Sequence, residues 1–417
     1  MNIDYLTGFD HPAMPAPFPV EKKIFRDYEV LTDLEPVKDY HNGMYGFQGG
    51  CTDGRYLYTL AVWHNDNNAV LQKRELYSME VIDENSNYNY SHAGGITYCE
   101  KDGYLYISHA GGDNRTVSRV DPMTLQRRNT IQCVSNIMNI AYCKEHDLFV
   151  ASIASPYYFG VYKLINVDGV EQLGLVYHIK AEGVPTGYGK QSIACDKDFI
   201  FATFSDCIHV FTWTGEHVRR IEVPDTYQYR GERFEMEWAF IHDDFWHIGV
   251  YNGYDNGERY NTIWTKYTSF YEDTDIKNLQ GKTGISSLNR LPAGTMVKLY
   301  GYETHNGKTP VNLSKFLPYN SAHYKYLKVR YVGQNVGVAD WWKSGKLTIR
   351  EFNLSDSASN TMEFRELQFM EMTGSALAVE QNQHQKITFN DDGTFKSTEK
   401  VKESDTMIRV LEIYGVV

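Results

Sequence analysis

The sequence lacks the long apolar segments that a membrane-spanning helix requires. Its 417 residues contain no run of eighteen apolar residues, whereas a helix that spans a bilayer needs about 20. The first residues, Met1 to Tyr5, have no basic segment and no apolar stretch after them, so we expect no secretory signal. The sequence therefore predicts a protein that is made in the cytoplasm and does not insert into membranes.

Positive charge is also scarce. The chain has 41 Lys and Arg residues against 53 Asp and Glu residues, which gives a net charge of −12. A protein that binds DNA or RNA needs a basic surface to neutralise phosphates. We therefore expect no nucleic-acid partner, and the same charge favours a neutral ligand over a polyanionic one.

Motifs that hold metals, cofactors or catalytic nucleophiles are missing. The sequence has no Cys-x-x-Cys pair and no His–Cys cluster of the kind that binds zinc. It has no glycine-rich phosphate loop and no Gly-x-Ser-x-Gly motif. No long heptad run predicts a coiled-coil stalk. We therefore predict no metal site, no cofactor and no enzymatic activity.

A repeated strand–turn–strand pattern is the most informative feature that is present. Five copies align on Cys51, Cys99, Cys143, Cys195 and Ile241, with spacings of 48, 44, 52 and 46 residues. The copies occupy residues 51–58, 98–108, 142–150, 194–201 and 240–248. An irregular period of this size is typical of a β-propeller, whose units bury their apolar faces only by stacking around an axis. The sequence predicts five blades.

The six cysteines are predicted to be free thiols. Four of them occupy equivalent positions in different blades, too far apart for the Cα separation of about 7 Å that limits a disulfide. Isoleucine in the fifth copy indicates that the position requires a small or medium apolar side chain. Buried free thiols are consistent with folding in a reducing cytoplasm.

The chain divides into an arm, a propeller, a linker and a second domain. Four prolines between positions 12 and 19 exclude a helix there and favour an extended arm. Residues 23–31 have a strand pattern that could complete the fifth blade and close the ring. The predicted boundaries are 1–42 for the extended N-terminal arm, 43–265 for the five-bladed propeller, 266–285 for the linker and 286–417 for the second domain.

The second domain has the alternation of half-buried antiparallel strands. Apolar and polar residues alternate with a period of two in residues 326–332, 346–352, 362–367, 386–389 and 407–413. Asn390-Asp391-Asp392-Gly393 is a good hairpin turn. The fold class predicted for the whole chain is all-β: a five-bladed β-propeller followed by a C-terminal β-sandwich, jelly-roll-like domain.

Five loops are expected to gather on one face of the propeller. In each blade the innermost strand starts on the face that carries the loop between the second and third strands. Aromatic rings can stack on sugars, and Asp, Asn and His can hydrogen-bond hydroxyl groups, although Asn, Asp and Gly also simply form turns. The ligand-binding candidates from these loops are Trp63, His64, His109, Asp113, Tyr157, Tyr158, Asp206, Tyr251 and Tyr254.

Two glutamates at the mouth of the channel complete the set of candidates. Glu235 and Glu237 could divide acid and base roles, as in glycoside cleavage, or they could merely solvate the channel. Two residues apart on one strand, they are expected to point the same way. Other residues expected at the mouth are Gln48, His92, Asn139, Lys190 and Gln191. His64, His92 and His109 could bind a metal or act as a base, but no carboxylate at a diagnostic spacing accompanies them.

The propeller resembles the receptor-binding, tail fibre proteins of tailed bacteriophages that infect Gram-positive bacteria. The resemblance is architectural and covers residues 43–265. The segments that carry it are Asp102-Gly103-Tyr104-Leu105-Tyr106, Asp198-Phe199-Ile200-Phe201 and Phe234-Glu235-Met236-Glu237-Trp238. The resemblance implies a homotrimeric virion protein for host attachment. Its propeller would bind carbohydrate, namely a host cell-wall glycopolymer such as teichoic acid. Other tail or head proteins would hold it on the particle.

Two other functions stay open from the sequence. The protein could be a structural decoration of the virion head or tail without receptor binding. It could also be a propeller glycosidase or lyase that uses the paired glutamates. Binding to cells separates the first alternative from a receptor-binding protein, and degradation of polysaccharide identifies the second.

Overall fold

Strands account for nearly all of the regular structure in this protein. We analysed it as a computed structural model, which describes residues 28–30, 35–40, 44–63, 69–109, 115–153, 158–180, 190–223, 233–253, 259–280, 291, 294–301, 305–306, 311–317, 323–332, 336–342, 347–354, 361–372, 376–402 and 409–417. Among these residues the helical structure is a 3-10 turn at Phe270–Glu272 and α1 at Thr274–Leu279.

Five antiparallel blades form the first part of the chain. The first blade contains β3 (Met44–Thr52), β4 (Tyr56–Trp63), β5 (Ala69–Glu75) and β6 (Val81–Asn85). The second contains β7 (Gly95–Cys99), β8 (Tyr104–Ser108), β9 (Thr116–Val120) and β10 (Arg127–Cys133). The third contains β11 (Ile137–Cys143), β12 (Leu148–Ile153), β13 (Tyr158–Val167) and β14 (Val170–Lys180).

The last two blades take strands from the N-terminal arm. The fourth contains β15 (Lys190–Cys195), β16 (Phe199–Phe204), β17 (Cys207–Thr212) and β18 (His217–Glu222), and β1 (Tyr28–Val30) adds to β18 in parallel. The fifth contains β19 (Arg233–His242), β20 (Phe245–Gly253) and β21 (Arg259–Tyr267), and β2 (Glu35–Tyr40) is its outer strand. The arm thus completes the fifth blade through residues 35–40 and not through the segment 23–31 that the sequence favoured.

The five innermost strands form a closed ring. Each of β3, β7, β11, β15 and β19 packs against the innermost strands of both neighbouring blades, and the ring closes between β19 and β3. This arrangement confirms the five-bladed propeller. The second and third blades are further joined into one eight-stranded sheet, because β10 pairs in parallel with β14.

Aspartates in the hairpin turns explain why the repeat folds locally. Asp53 Oδ1 accepts the backbone N–H groups of Arg55 and Tyr56 at 2.8 and 2.7 Å, and Asp53 Oδ2 accepts the hydroxyl of Tyr58 at 2.9 Å. In the second blade Asp102 Oδ2 accepts the hydroxyl of Tyr106 at 2.6 Å. Hydrogen bonds between the turn and the following strand fix the register of the hairpin.

The cysteines are free thiols, as the sequence predicts. None of the six forms a disulfide; four are buried, and Cys51 and Cys195 are half-buried. Cys99, Cys133, Cys143 and Cys207 lie among apolar side chains of the blades. They therefore pack as small apolar residues.

Residues after the fifth blade pack against it. Phe270 of the 3-10 turn and Ile276 of α1 are both buried, in a cluster with Phe201 and Trp246 of the fourth and fifth blades. Asp273 caps α1, and its carboxylate accepts the N–H groups of residues 275 and 276. The segment 266–285, expected as a linker, is thus anchored to the propeller where the structure describes it.

The C-terminal part consists of two antiparallel sheets, which confirms a β-rich second domain. The first has the order β22 (Met296–Tyr300), β31 (Arg409–Val416), β25 (Tyr326–Val332), β26 (Val336–Trp342), with β23 (His305–Asn306) also on β31. The second has the order β24 (Val311–Asn312), β29 (Ala376–Phe389), β28 (Thr361–Met372), β27 (Leu347–Leu354), with β30 (Phe395–Lys402) also on β29.

One apolar core continues from the propeller into this domain. It includes Tyr177 of β14 and Trp213 of the fourth blade together with Leu299 of β22 and Leu327 of β25. A hydrogen bond of 3.3 Å from Lys163 Nζ to the backbone oxygen of Phe316 adds a polar contact. The C-terminal domain therefore covers part of the third and fourth blades.

Candidate functional site

Irregular backbone pairing marks the channel mouth. In β3, β11, β15 and β19 the register with the second strand of the blade shifts near the start of the strand. The residues skipped by these shifts include Gln48, Met138, Gln191 and Glu237. A β-bulge leaves a residue outside the ladder and changes the direction of its side chain. Three of these four residues are polar, and all three were expected at the mouth.

Glu235 is held by hydrogen bonds from the fourth blade. Gln191 Nε2 donates to Glu235 Oε1, and the hydroxyl of Ser205 donates to the same oxygen at 3.3 Å. The backbone N–H of Met236 donates to the backbone oxygen of Ser205 at 2.9 Å. Glu235 is thus a fixed acceptor that joins two blades.

Glu237 has a different environment from Glu235. Its side chain is only 5% exposed, and among the described residues no hydrogen bond or ion pair reaches its carboxyl group. Burial, and next the neighbouring charge of Glu235, raises the pKa of Glu237 well above the usual range. The sequence predicts that both glutamates point the same way; the structure adds a bulge at Glu237, which interrupts the regular alternation of β19 between them.

Gly46 of the first blade lies close to the Glu237 carboxyl group. A Cβ atom at Gly46 of β3 would stand 3.5 Å from Glu237 Oε1 and 3.4 Å from the ring atom Cδ2 of Tyr251. Tyr251 is half-buried and lies opposite Glu235 in the register of β19 with β20. The backbone of the first blade thus packs against a carboxyl group and an aromatic ring of the fifth blade at Gly46.

Most other polar side chains near the mouth connect adjacent blades. The Ser108 hydroxyl donates to the backbone oxygen of Met138 at 3.0 Å, and Asn139 Nδ2 donates to the backbone oxygen of Gln191 at 3.4 Å. Asn139 also accepts the hydroxyl of Ser152. These groups stabilise the ring and have little capacity left for a ligand, in contrast to Glu237.

His109 packs within the second blade. Its Nε2 lies 2.9 Å from the Ser118 hydroxyl, and its ring meets the edge of Tyr90 at a centroid distance of 6.3 Å. Burial and the charge of Arg127 lower its pKa, which favours the neutral imidazole. The contacts of His109 support a packing role at this position.

Asp206 is tied to the outer strand of the fourth blade. Its Oδ2 lies 3.8 Å from Arg220 Nη2, and its backbone oxygen accepts the N–H of Val223 at 3.1 Å. Its side chain is 38% exposed, so the carboxylate is open to solvent on one side.

For the other ligand-binding candidates, the structure describes either the backbone alone or no part of the residue. Trp63 ends β4 and Tyr158 begins β13, but only their backbone is described. His64, Asp113, Tyr157 and Tyr254 lie outside the described residues. Of the other residues expected at the mouth, Gln48 is half-buried, His92 is exposed and Lys190 has an undescribed side chain.

Sequence reasoning missed one contributor to this site, Gly46. An isolated glycine within a strand pattern is a known sign of a close approach by another group, so Gly46 had a usable signal. Ser205 was expected with Asp206 in a loop of this face, but its hydrogen bond to Glu235 of another blade had no sequence signal.

Metal ligands do not cluster in the described part of the chain. No group of three or more His, Cys, Asp or Glu side chains lies close enough there to hold a metal ion. No helix among those residues is long and apolar enough to cross a membrane.

Comparisons with known proteins show remote similarities of structure. No family model and no curated protein matches the chain. The tail fibre of Staphylococcus aureus phage P68 is 10% identical, with 88% of this chain and 77% of that chain covered and a TM-score of 0.38. The β-propeller domain of Myceliophteria thermophila Cps50 (Swd1) is 8% identical, with 92% and 100% covered and a TM-score of 0.30.

A third similar structure is KlAtg21 in its complex with the coiled coil of AgAtg16. It is 14% identical and has a TM-score of 0.30. The match covers 50% of this chain and 66% of that chain, so this chain spans less than two thirds of that structure. All three TM-scores are below 0.5, so these likenesses carry no argument about function.

Proposed function

We propose that this protein is a virion fibre or tail component that binds a glycopolymer on the surface of a host cell. The propeller provides the binding face at the mouth of its channel, and the C-terminal domain provides the contact with the particle or with other copies of the chain. Several copies on one particle would convert weak single sites into firm attachment.

The observation that carries this proposal is the set of polar and aromatic groups at the channel mouth. Glu235 accepts hydrogen bonds from Gln191 and Ser205, and Tyr251 lies opposite it in the register of β19 with β20. Fixed acceptors next to an aromatic ring suit the hydroxyl groups and apolar faces of sugars. The sequence resemblance to receptor-binding proteins of phages that infect Gram-positive bacteria agrees with this chemistry.

Binding of the purified, fluorescently labelled protein to Gram-positive cells tests the proposal. The same cells are compared before and after chemical removal of wall glycopolymers, and a labelled protein of equal charge serves as the control for adsorption. We expect binding that disappears with the polymers. Absence of binding to every strain would contradict the proposal and favour a structural role in the particle.

A glycosidase or lyase is the second candidate, and one observation favours it. Glu235 accepts hydrogen bonds from Gln191 and Ser205, whereas burial raises the pKa of Glu237 and favours its protonated form. Glycosidases that use two carboxyl groups depend on such a difference between an acid and a base. The test is whether the parent protein releases reducing ends from wall polysaccharide. Release by the parent protein that is abolished in Glu237→Gln would establish an enzyme.

A further inference from the structure

We infer that the second C-terminal sheet binds a second copy of this chain, through one side of its end beside the turn 390–394. The two copies meet in a contact with two-fold symmetry. The strands at this end of the sheet are the end of β27, the start of β28, the end of β29 and the start of β30. This inference goes beyond ligand binding at the channel mouth and does not depend on it.

The backbone register gives this end of the sheet one apolar side. Leu354 pairs with Met362, which pairs with Ile387, so these apolar residues form one row across β27, β28 and β29. Phe389 comes two positions after Ile387, which places it on the same side of the sheet. It pairs with Phe395 of β30, and directly paired residues share a side. We call these five positions the distal face.

The opposite side of the sheet is polar at the same place. The adjacent row across the four strands consists of Asn353, Glu363, Lys386 and Glu399. Because successive residues of a strand lie on opposite sides of the sheet, this row belongs to the side away from the distal face. A sheet with one polar and one apolar side needs a cover on the apolar side alone.

The distal face is open where its side chains are described. Phe395 is 62% exposed, and Ile387 and Phe389 are only half-buried. The core clusters formed by the described residues include no residue of the range 387–399. In the first C-terminal sheet, by contrast, Leu327 and Ile413 are completely buried. Apolar side chains that lie together in water gain free energy when another surface covers them.

The charges beside the distal face favour a second copy as the occupant. Asp391 and Asp392 are exposed on the turn at one end of this face, and Lys400 and Lys402 follow on β30 towards its other end. A two-fold axis at the row of Ile387 brings the two distal faces together and places the acidic turn of each copy beside the lysines of the other. The surface is therefore self-complementary, as a two-fold contact requires. Opposite charges at its rim fix this orientation.

Sedimentation equilibrium of the full chain over a range of protein concentrations tests the inference. We expect a dimer with twice the chain mass of 48.1 kDa. The dimer should dissociate more readily at high salt, because salt screens the charges at the rim. A monomer at every concentration would overturn the inference. A trimer, which the sequence resemblance implies, would also overturn it, because three copies around one axis do not form the two-fold contact.

Phe395→Ser locates the contact at the distal face. Phe395 occurs twice in a two-fold contact, so we expect the Kd of the dimer to rise about 30-fold or more. Val170→Ser is the matched control, because Val170 is 61% exposed on β14 of the propeller, and it should leave the Kd unchanged. Thermal melting shows whether each variant is folded. A folded Phe395→Ser protein that dimerises like the parent would disprove the surface.

A charge exchange tests the orientation of the two copies. Asp391→Lys alone and Lys402→Asp alone each place like charges beside one another, so each should weaken the dimer. The double variant exchanges the two charges and should restore the dimer, since each lysine again lies beside an aspartate of the other copy. Losses that simply add in the double variant would contradict the two-fold pairing.

Cell binding, measured separately, distinguishes this inference from the proposed function. If the parent protein is a monomer that binds cells through wall polymers, the two-fold contact is wrong and the function stands. If the protein is a dimer that Phe395→Ser dissociates but binds no cells, the contact stands and host attachment is wrong.

Discussion

The imidazole rings of His209 and His217 form a hydrogen bond of 2.9 Å between Nδ1 and Nε2, inside the fourth blade. His209 on β17 is 1% exposed and contacts the rings of Phe204 and Phe211. Burial, then His217, then Arg220 lowers the pKa of His209 to about 3, and burial and then Arg220 lower that of His217 to about 4. Both rings are therefore neutral in the folded protein at neutral pH.

We predict that acid destabilises the protein through this pair. An exposed histidine titrates near pH ~6.5, so below that pH the unfolded chain binds more protons than the folded one. The stabilising contribution of the neutral pair is complete above pH ~6.5. It is lost as the pH falls towards the folded-state pKa values of about 4 for His217 and about 3 for His209. Each unit of difference between the unfolded and folded pKa corresponds to about 1.4 kcal/mol of stability. Urea denaturation at several pH values measures this slope. His217→Gln should reduce the slope, and an unchanged slope would contradict the prediction.

Removal of the arm is predicted to unfold the propeller. Deletion of residues 1–42 removes both β1 and β2, and β2 is the outer strand of the fifth blade. The exposed edge of β21 would then lose its pairing along the strand, and the fifth blade would lose the strand that ties it to the chain before the first blade. Circular dichroism melting should show a large decrease in the transition temperature. Deletion of residues 1–27 removes neither strand and is the control; equal melting of both truncated proteins would refute this role.

Gly249 is predicted to be essential for packing of the fifth blade. A Cβ atom at Gly249 would lie 2.1 Å from the Trp238 ring, and one at Gly50 of the first blade would lie 2.6 Å from it. Trp238 is buried, so it has little room to move away. Gly249→Ala should lower the free energy of unfolding by about 1–3 kcal/mol or more, as measured by urea denaturation. Gly46→Ala, with no such overlap, should unfold like the parent protein.

The six thiols are predicted to be inert in the native protein. Burial raises the pKa of Cys99, Cys133 and Cys207 to about 12, so very little thiolate exists at pH 8. A chromogenic disulfide reagent should react slowly with the folded protein and rapidly with all six cysteines in urea. Fast reaction of any thiol in the absence of denaturant would show that it is more accessible than its burial indicates.

The propeller was predictable from sequence because each hairpin is encoded locally. Asp53 and Asp102 bond to backbone or hydroxyl groups two to five positions away, so the repeat is visible in a short segment. The strand that completes the fifth blade was assigned to residues 23–31 and not 35–40, because pairing with β21 depends on residues far along the chain. Local pattern could show that the arm contains a strand but could not select its partner.

The candidate site was predictable only in part, for a similar reason. Glu235 and Glu237 stood out because they are two positions apart in one segment. Their different environments arise from the bulge in β19 and from groups on other blades, Gln191, Ser205 and Gly46. A bulge has no reliable sequence signature, and the approach of two blades is a property of the closed ring.

Closure of the ring also has a consequence for how the protein is made. The backbone N–H of Phe47 donates to Asn261 Oδ1 at 3.0 Å, across 214 residues of sequence. The ribosome therefore completes four blades before Asn261 of β21 emerges. Until then, β3 of the first blade has no partner in the fifth blade. Contacts so distant in sequence slow folding and leave strand edges exposed. The rate of translation and the presence of a chaperone should therefore determine the fraction of protein molecules that reach the closed ring.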